Sequence, residues 1–302
     1  MPAVVAHGLR KTYGSLVAVD EVDLTIEEGE VVALLGPNGA GKTTTVEMLE
    51  GYRTPDAGEV RVLGHDPRTG GRAFRERVGI VLQEAGFEEL FTPRELIRLH
   101  AGYYPNPRTV DDVLSLVGLE EKADARVRTL SGGQRRRLDL GLGIVGNPEM
   151  LFLDEPTTGF DPSARRRAWD LVDALRDLGA TILLTTHYLD EAEHLADRLV
   201  VVDHGRVVAT GTPEQLAASA GLATVVSFRL PAGTSPSELP ALGDGVRVAG
   251  SIVDVRTHTP TADVAALAAW AVARGTELEA LTVARPTLED VYLDLVEEEV
   301  PA

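Results

Sequence analysis

Apolar and polar positions change rhythm along this 302-residue chain. Up to about Leu63 they alternate, as in Val17-Ala18-Val19-Asp20-Glu21-Val22-Asp23-Leu24 and Glu59-Val60-Arg61-Val62-Leu63. Side chains of a strand point to opposite faces with period two, so alternation predicts half-exposed antiparallel strands. Among and after these segments lie short runs without alternation, at residues 31–35, 80–82, 150–153, 182–184 and 199–202. Such runs fit a parallel sheet buried on both faces. Over residues 92–145 the pattern turns helical, and Thr92-Pro93-Arg94-Glu95 is a capping box with proline at the first helical position. Beyond Gly211-Thr212-Pro213, residues 224–230 and 246–256 read as strands, 262–274 as a helix and 287–295 as a last helix. Thr287 and Asp290 have the shape of a second capping box, with Val291, Leu293 and Leu295 docking that helix.

Composition narrows the class. Hydrophobic residues at 44% and charged residues at 25% are ordinary for a globular protein. The longest apolar run, near residues 264–273, is far below the roughly 20 residues of a membrane span. No charged start followed by an apolar stretch marks a secretory leader, so the chain is expected to stay in the cytoplasm. The absence of cysteine excludes disulfides and thiolate metal sites. A net charge of −18 repels nucleic-acid backbones and argues against a nucleic-acid partner.

Candidate chemistry begins with Gly36-Pro37-Asn38-Gly39-Ala40-Gly41-Lys42-Thr43, a complete G-x-x-x-x-G-K-[ST] loop between an apolar run and an expected helix. Its glycines let backbone N–H groups turn inward around phosphates, and the helix N-terminus adds a positive dipole end. Lys42 is expected at the β- and γ-phosphates of ATP, the Thr43 hydroxyl on Mg²⁺, and Thr44 in the same nucleotide-binding segment. Asp154 and Glu155 end the run 150–153, which places them on the ligand edge of a parallel sheet. Asp154 is expected to hold Mg²⁺ through water, and Glu155 to polarise the attacking water as general base. His187 and Gln83 end two other runs; His187 is placed to help orient the water, and Gln83 to bind both Mg²⁺ and the water.

Ser131-Gly132-Gly133 precedes a helix expected from Gln134 onward and makes a second anion-binding terminus. Alone, such a segment is more often a simple cap. With only one lysine-bearing loop on the chain, two anion termini imply an ATP shared between two chains. Tyr13 offers a flat face for adenine, and a core tyrosine is an equal reading. Phe87, Leu90 and Phe91 either pack inward or line a groove for a partner.

These residues resemble the nucleotide-binding subunit of ATP-binding cassette (ABC) transporters, from Val4 to about Leu216. Tyr13 matches the aromatic adenine platform, residues 36–43 the Walker A loop and Gln83 the Q-loop. Leu130-Ser131-Gly132-Gly133-Gln134 is the five-residue family signature, and residues 150–155 match Walker B. Thr158-Gly159-Phe160-Asp161 matches the D-loop, with Phe160 where leucine is usual, and brings Asp161 into the nucleotide-binding set. His187 matches the switch histidine. Arg135-Arg136-Arg137-Leu138-Asp139-Leu140 and Pro286-Thr287-Leu288-Glu289-Asp290-Val291-Tyr292-Leu293 look more specifically like the daunorubicin-resistance type of multidrug exporter ATPase. Related subunits move lipids and polysaccharides.

The resemblance implies an α/β fold: a P-loop NTPase (RecA-like) core with an antiparallel β lobe and a helical lobe, plus a small C-terminal α+β domain. The expected domains are a nucleotide-binding domain over residues 1–216, with its helical subdomain at about 92–145, and an accessory domain over 217–302. A head-to-tail homodimer is expected, with Ser131 of one chain against the γ-phosphate bound by the other. ATP hydrolysis would then drive a separate integral-membrane permease from the cytoplasmic face, exporting drugs, antibiotics or lipids. A regulatory ATPase outside transport is the alternative. DNA-repair and chromosome-organising relatives separate loop and signature by long coiled coils, and no sustained heptads stand between Lys42 and Leu130.

Overall fold

The computed structural model describes residues 2–82, 86, 88–219, 221–231, 233–243, 245–285 and 287–297. Gln83, Phe87 and the side chains of Leu293 and Leu295 lie outside that description. The chain divides into two compact units, Met1–Pro213 and Glu214–Ala302.

The first unit runs β1 (Pro2–Tyr13), β2 (Leu16–Glu27), β3 (Val31–Leu35), α1 (Lys42–Glu50), β4 (Ala57–Val62), α2 (Gly71–Arg75) and β5 (Val78–Val81). It continues with α3 (Pro93–Ala101), α4 (Val110–Leu116), α5 (Gly132–Ile144), β6 (Met150–Asp154), α6 (Pro162–Asp177), β7 (Thr181–Thr186), α7 (Leu189–Leu195), β8 (Arg198–Asp203) and β9 (Arg206–Gly211). The alternating segments form an antiparallel sheet of order β2-β1-β4. The unalternating runs form a second sheet of order β5-β6-β7-β3-β8-β9, parallel except at the β9 edge. All five residues of β3 and of β6 are buried, as a strand covered on both faces requires. One apolar core joins the two sheets through Leu9, Leu24, Ile26, Val32, Leu34, Met48, Phe152 and Val200.

In the helical lobe Thr92 caps α3: its hydroxyl accepts from the Glu95 amide, and the Glu95 carboxylate accepts from the Thr92 amide. Leu96, Ile97, Val113, Leu114, Leu138 and Ile144 bury the facing sides of α3, α4 and α5. Helix α5 meets β5 at two glycines. A Cβ on Gly79 would lie 2.2 Å from the Gly143 carbonyl oxygen, and one on Gly143 would lie 2.4 Å from Val81. That approach sets the depth at which α5 enters the molecule. Leu90 and Phe91, 66% and 37% exposed, do not pack inward as one reading of their loop required.

Helix α8 (Pro213–Ser219) begins at the boundary, and the second unit continues with β10 (Thr224–Arg229), β11 (Gly245–Ala249), β12 (Ile252–Thr257), α9 (Pro260–Arg274), β13 (Thr282–Ala284) and α10 (Leu288–Glu297). Its antiparallel sheet has the order β11-β12-β10-β13. Val226, Phe228, Val253, Val255 and Leu267 form its core. Residues 246–256, expected as one strand, are a hairpin: Val246 pairs with Val255 and Val248 with Val253. Gly250, at φ +63°, makes the tight turn that an apolar pattern alone does not mark. Strand β13 was not anticipated; its residues are exposed and give no burial pattern.

Gly79→Ala should cost the first unit about 1–3 kcal/mol, because the added methyl must displace backbone rather than a flexible side chain. Urea unfolding followed by tryptophan fluorescence measures this, since Trp169 lies in α6 of the same unit. Wild-type stability in the variant would contradict the close packing of α5 on β5.

Candidate functional site

Three neighbouring parallel strands end at one edge of the six-stranded sheet. Leu35 of β3 pairs with Thr186 of β7, and Asp154 of β6 pairs with Thr185 of β7. The segments that leave these strands carry the glycine-rich loop, Glu155 and His187. The edge therefore gathers groups that lie far apart in the chain.

The loop after β3 is shaped by space as well as by conformation. A Cβ on Gly36 would stand 2.2 Å from the Val202 carbonyl oxygen, and Gly41, at φ +101°, would place one 2.2 Å from that of Ala18. Gly41 precedes α1 without a side-chain cap, so the helix N-terminus is left to a ligand. Lys42 is buried and curls back, donating from Nζ to the carbonyls of Gly36 at 2.7 Å and Pro37 at 3.0 Å. Burial pulls its pKa below the ordinary lysine value, against the opposing pull of Glu155 and Asp154. Asn38, Gly39 and Thr43 are exposed, Pro37 and Thr44 half-buried, and Ala40 buried.

Asp154 is buried and accepts a hydrogen bond from the Thr185 hydroxyl. Glu155 leaves the strand at φ +46°, a left-handed conformation that non-glycine residues rarely adopt. Its amide donates to the Thr185 carbonyl at 3.1 Å and to the Thr185 hydroxyl at 3.0 Å. Its carboxylate accepts from the Thr158 hydroxyl at 3.0 Å and stands 3.3 Å from His187 Nδ1. The carboxylate is thus aimed by two side chains from different segments. His187 is itself packed on the Tyr188 ring, with centroids 4.1 Å apart.

Ser131 and Gln134 start α5 with a reciprocal capping box: the Ser131 hydroxyl accepts from the Gln134 amide and Gln134 Oε1 accepts from the Ser131 amide. Ser131 and Gly132 are exposed, while Gly133 is half-buried. Asp161 caps α6, accepting from the amides of Ser163 and Ala164, both at 2.9 Å. Tyr13 ends β1, 40% exposed, with the Arg53 guanidinium 5.3 Å from its ring centre.

Some groups at this edge escaped sequence reasoning. Thr185, just past the end of the run 182–184, orients Asp154 and the Glu155 amide, and Thr158, read from sequence only within the D-loop match, orients the Glu155 carboxylate. Glu50, in the last turn of α1, is buried and pushed up to about 8, by burial first, then by Asp154 and Glu47. Asp139 on α5 is pushed up to about 6 by burial, against the lowering effect of Arg136. Their burial, which the sequence does not display, is what sets them apart.

The site tests well for magnesium. Thr43 offers an exposed hydroxyl and Asp154 a carboxylate, both hard oxygen donors. Among the described residues no three acidic or histidine side chains form a cage.

Comparison with known proteins agrees with this architecture. A family model described as ABC transporter matches residues 19–158, and one for the C-terminal domain of ABC transporter domain-containing protein-like chains matches residues 224–287. The chain is 45% identical over 233 residues to the daunorubicin/doxorubicin resistance ATP-binding protein DrrA of Streptomyces peucetius, covering 76% of this chain and 70% of the relative. It is 38% identical over 308 residues to the Nod factor export ATP-binding protein I of Rhizobium sp. (strain N33), covering 99% and 98%. A solved ATP-binding subunit of an ABC transporter superposes with a TM-score of 0.67 at 28% identity, over 72% of this chain and 93% of that one. The chain belongs to the ABC transporter ATP-binding family. It binds ATP and is an ATPase whose hydrolysis is coupled to transport.

Glu50 provides a pH test of the site's burial. An unfolded glutamate releases its proton near 4.5, whereas the folded chain holds it to about 8. The folded state therefore binds more protons across that window, and its stability falls as pH rises through it. Asp139 acts in the same direction up to about 6. Thermal unfolding of the nucleotide-free chain between about pH 5 and 8 should show a falling midpoint, with a flatter slope in Glu50→Gln. An unchanged slope in that variant would contradict the placement of Glu50.

Proposed function

We propose that this chain is the motor of a membrane exporter and hydrolyses Mg²⁺-ATP at the strand-end edge of its parallel sheet. The observation that carries the reading is the convergence of Lys42, Asp154, Glu155 and His187 from three paired strands. The N-terminus of α1 and the loop amides receive the phosphates, and Lys42 exchanges its carbonyl partners for phosphate oxygens. Thr43 and Asp154, with Gln83, would hold magnesium, which would supply positive charge to offset that of the phosphates. Glu155, aimed by Thr158 and His187, takes a proton from water as the water oxygen bonds to the γ-phosphorus. The bond from that phosphorus to the ADP oxygen breaks, and ADP leaves with the electron pair. Tyr13 stacks on adenine.

Ser131, Gly132, Gly133, Gln134 and Asp161 serve the nucleotide held by a second copy of the chain. The capped but exposed start of α5 supports this, because it presents glycines at a helix N-terminus facing solvent. Among the described residues no helix is long and apolar enough to cross a membrane. In this reading a separate permease supplies the membrane path and this chain works on its cytoplasmic face, which the export named for its relatives supports. A cleft of about 640 Å³ between core and helical lobe, lined by Tyr52, Leu82, Leu99 and Tyr104 together with Arg68, Arg75 and Glu88, suits an amphipathic segment of that permease. The printed names of the relatives, drug resistance and Nod factor export, support export of a drug or a lipid-like molecule. No observation favours a regulatory ATPase instead.

Glu155→Gln should retain ATP affinity while turnover falls at least ~10²-fold, the loss expected for a general base. Lys42→Ala should instead weaken ATP binding. Near-normal phosphate release by Glu155→Gln would remove that residue from the role.

Sharing of the site is tested by mixing. Lys42→Ala chains combined with Ser131→Arg chains form heterodimers in which one site carries both lesions and the other neither. Recovered ATPase activity, absent from each variant alone, is expected. Confirmed heterodimers without recovery would count against a site built in trans.

A further inference from the structure

Arg136 lies in the first turns of α5, two residues beyond Gln134, and its side chain is 11% exposed. Its guanidinium binds groups from three separate segments. Nη2 donates to the carbonyls of Asp154 at 2.8 Å and Glu155 at 3.2 Å, and Nε donates to that of Pro156 at 3.3 Å. Nη1 donates to the Asp139 carboxylate at 2.8 Å and to the Leu82 carbonyl. A guanidinium has five N–H donors to meet such a set, whereas an ammonium has three.

These three consecutive carbonyls lie where β6 ends at Asp154 and the chain turns; besides Arg136, the Glu155 carbonyl accepts from the Thr158 amide at 3.3 Å. At the middle of this turn stands Glu155 with its left-handed backbone. A conformation of that kind persists only where its surroundings over-determine it. Thr185 fixes the amide side of the turn, and Arg136 fixes the carbonyl side. Burial lowers the Arg136 pKa, while Asp139, Asp154 and Glu155 oppose that shift. The close approach of Gly79 and Gly143 lets α5 bring the guanidinium to this depth.

We propose that Arg136 is a positioning residue for hydrolysis: by holding the carbonyls of residues 154–156 it sets the direction of the Glu155 carboxylate. The proposal rests on Glu155 acting as the base. Space-filling alone does not account for bonds to three successive carbonyls around the one strained residue of the site. A link between the signature-bearing helix and the catalytic turn follows directly, because the same helix starts at Ser131.

The test uses the full chain and compares Arg136→Lys, Glu155→Gln and the double variant. Arg136→Lys keeps the charge but loses the planar fork. Its kcat should fall about 10-fold or more, the scale of a misplaced catalytic group, with the KM for ATP near wild type. In the Glu155→Gln background the same change should have little further effect, since the group it aims is gone. Multiplying losses in the double variant, or wild-type kcat in Arg136→Lys, would overturn the proposal. Wild-type turnover in Glu155→Gln alone would instead remove the base assignment, and the proposal with it. If Arg136→Lys does not fold, Asp139→Asn keeps the shape and removes only the negative charge that accepts from Arg136 Nη1. It should lower kcat by a smaller factor, again only when Glu155 is present; unchanged kcat there would overturn the proposal.

Discussion

Parallel pairing of β6, β7 and β3 is the constraint on which the site depends. Each strand is too short and too buried to carry chemistry along its length. Its function lies in where it stops. Because Asp154 pairs with Thr185 and Leu35 with Thr186, the strands end almost level. A slip of one residue would turn Asp154 to the opposite face and carry the following turn with it. The phosphate loop, the acidic turn and the histidine are thus brought together by backbone hydrogen bonds rather than by mutual attraction. That matters because two carboxylates in one buried region repel each other. Lys42 and the Thr185 hydroxyl offset part of that cost.

The same electrostatics prepare the edge for its ligand. Burial disfavours the charge on Lys42, and nearby carboxylates favour it. An incoming polyphosphate supplies further negative charge at the place where Lys42 now binds only neutral carbonyls. The uncapped N-terminus of α1 gains a partner in the same step. The starts at Thr92, Thr109 and Asp161, by contrast, are closed by their own side chains. Helix α1 differs because Gly41 has no side chain to offer.

Much of the fold was legible because its signals are local. Alternation marked β2 and β4, unbroken apolar runs marked the parallel strands, and Thr92 with Glu95 marked the start of α3. The P-loop lay in one contiguous stretch. What was hidden depends on contacts distant in sequence. Nothing near Thr185 reveals that its hydroxyl reaches Asp154, and nothing near Arg136 reveals the carbonyls it holds. Gly79 and Gly143 read as ordinary glycines until α5 is laid on β5. The β11–β12 hairpin was read as a single strand because the apolar pattern runs on past Gly250, whose turn it does not mark. Gln83 falls outside the described residues, so its expected role stands on sequence alone.

Hydrogen–deuterium exchange with and without saturating Mg²⁺-ATP tests the central claim most directly. Peptides spanning residues 36–45 and 154–158 should both become protected, because phosphates cover the loop amides and the acidic turn closes on them. Exchange at the ligand-free rate in both peptides, with protection appearing elsewhere, would contradict the account.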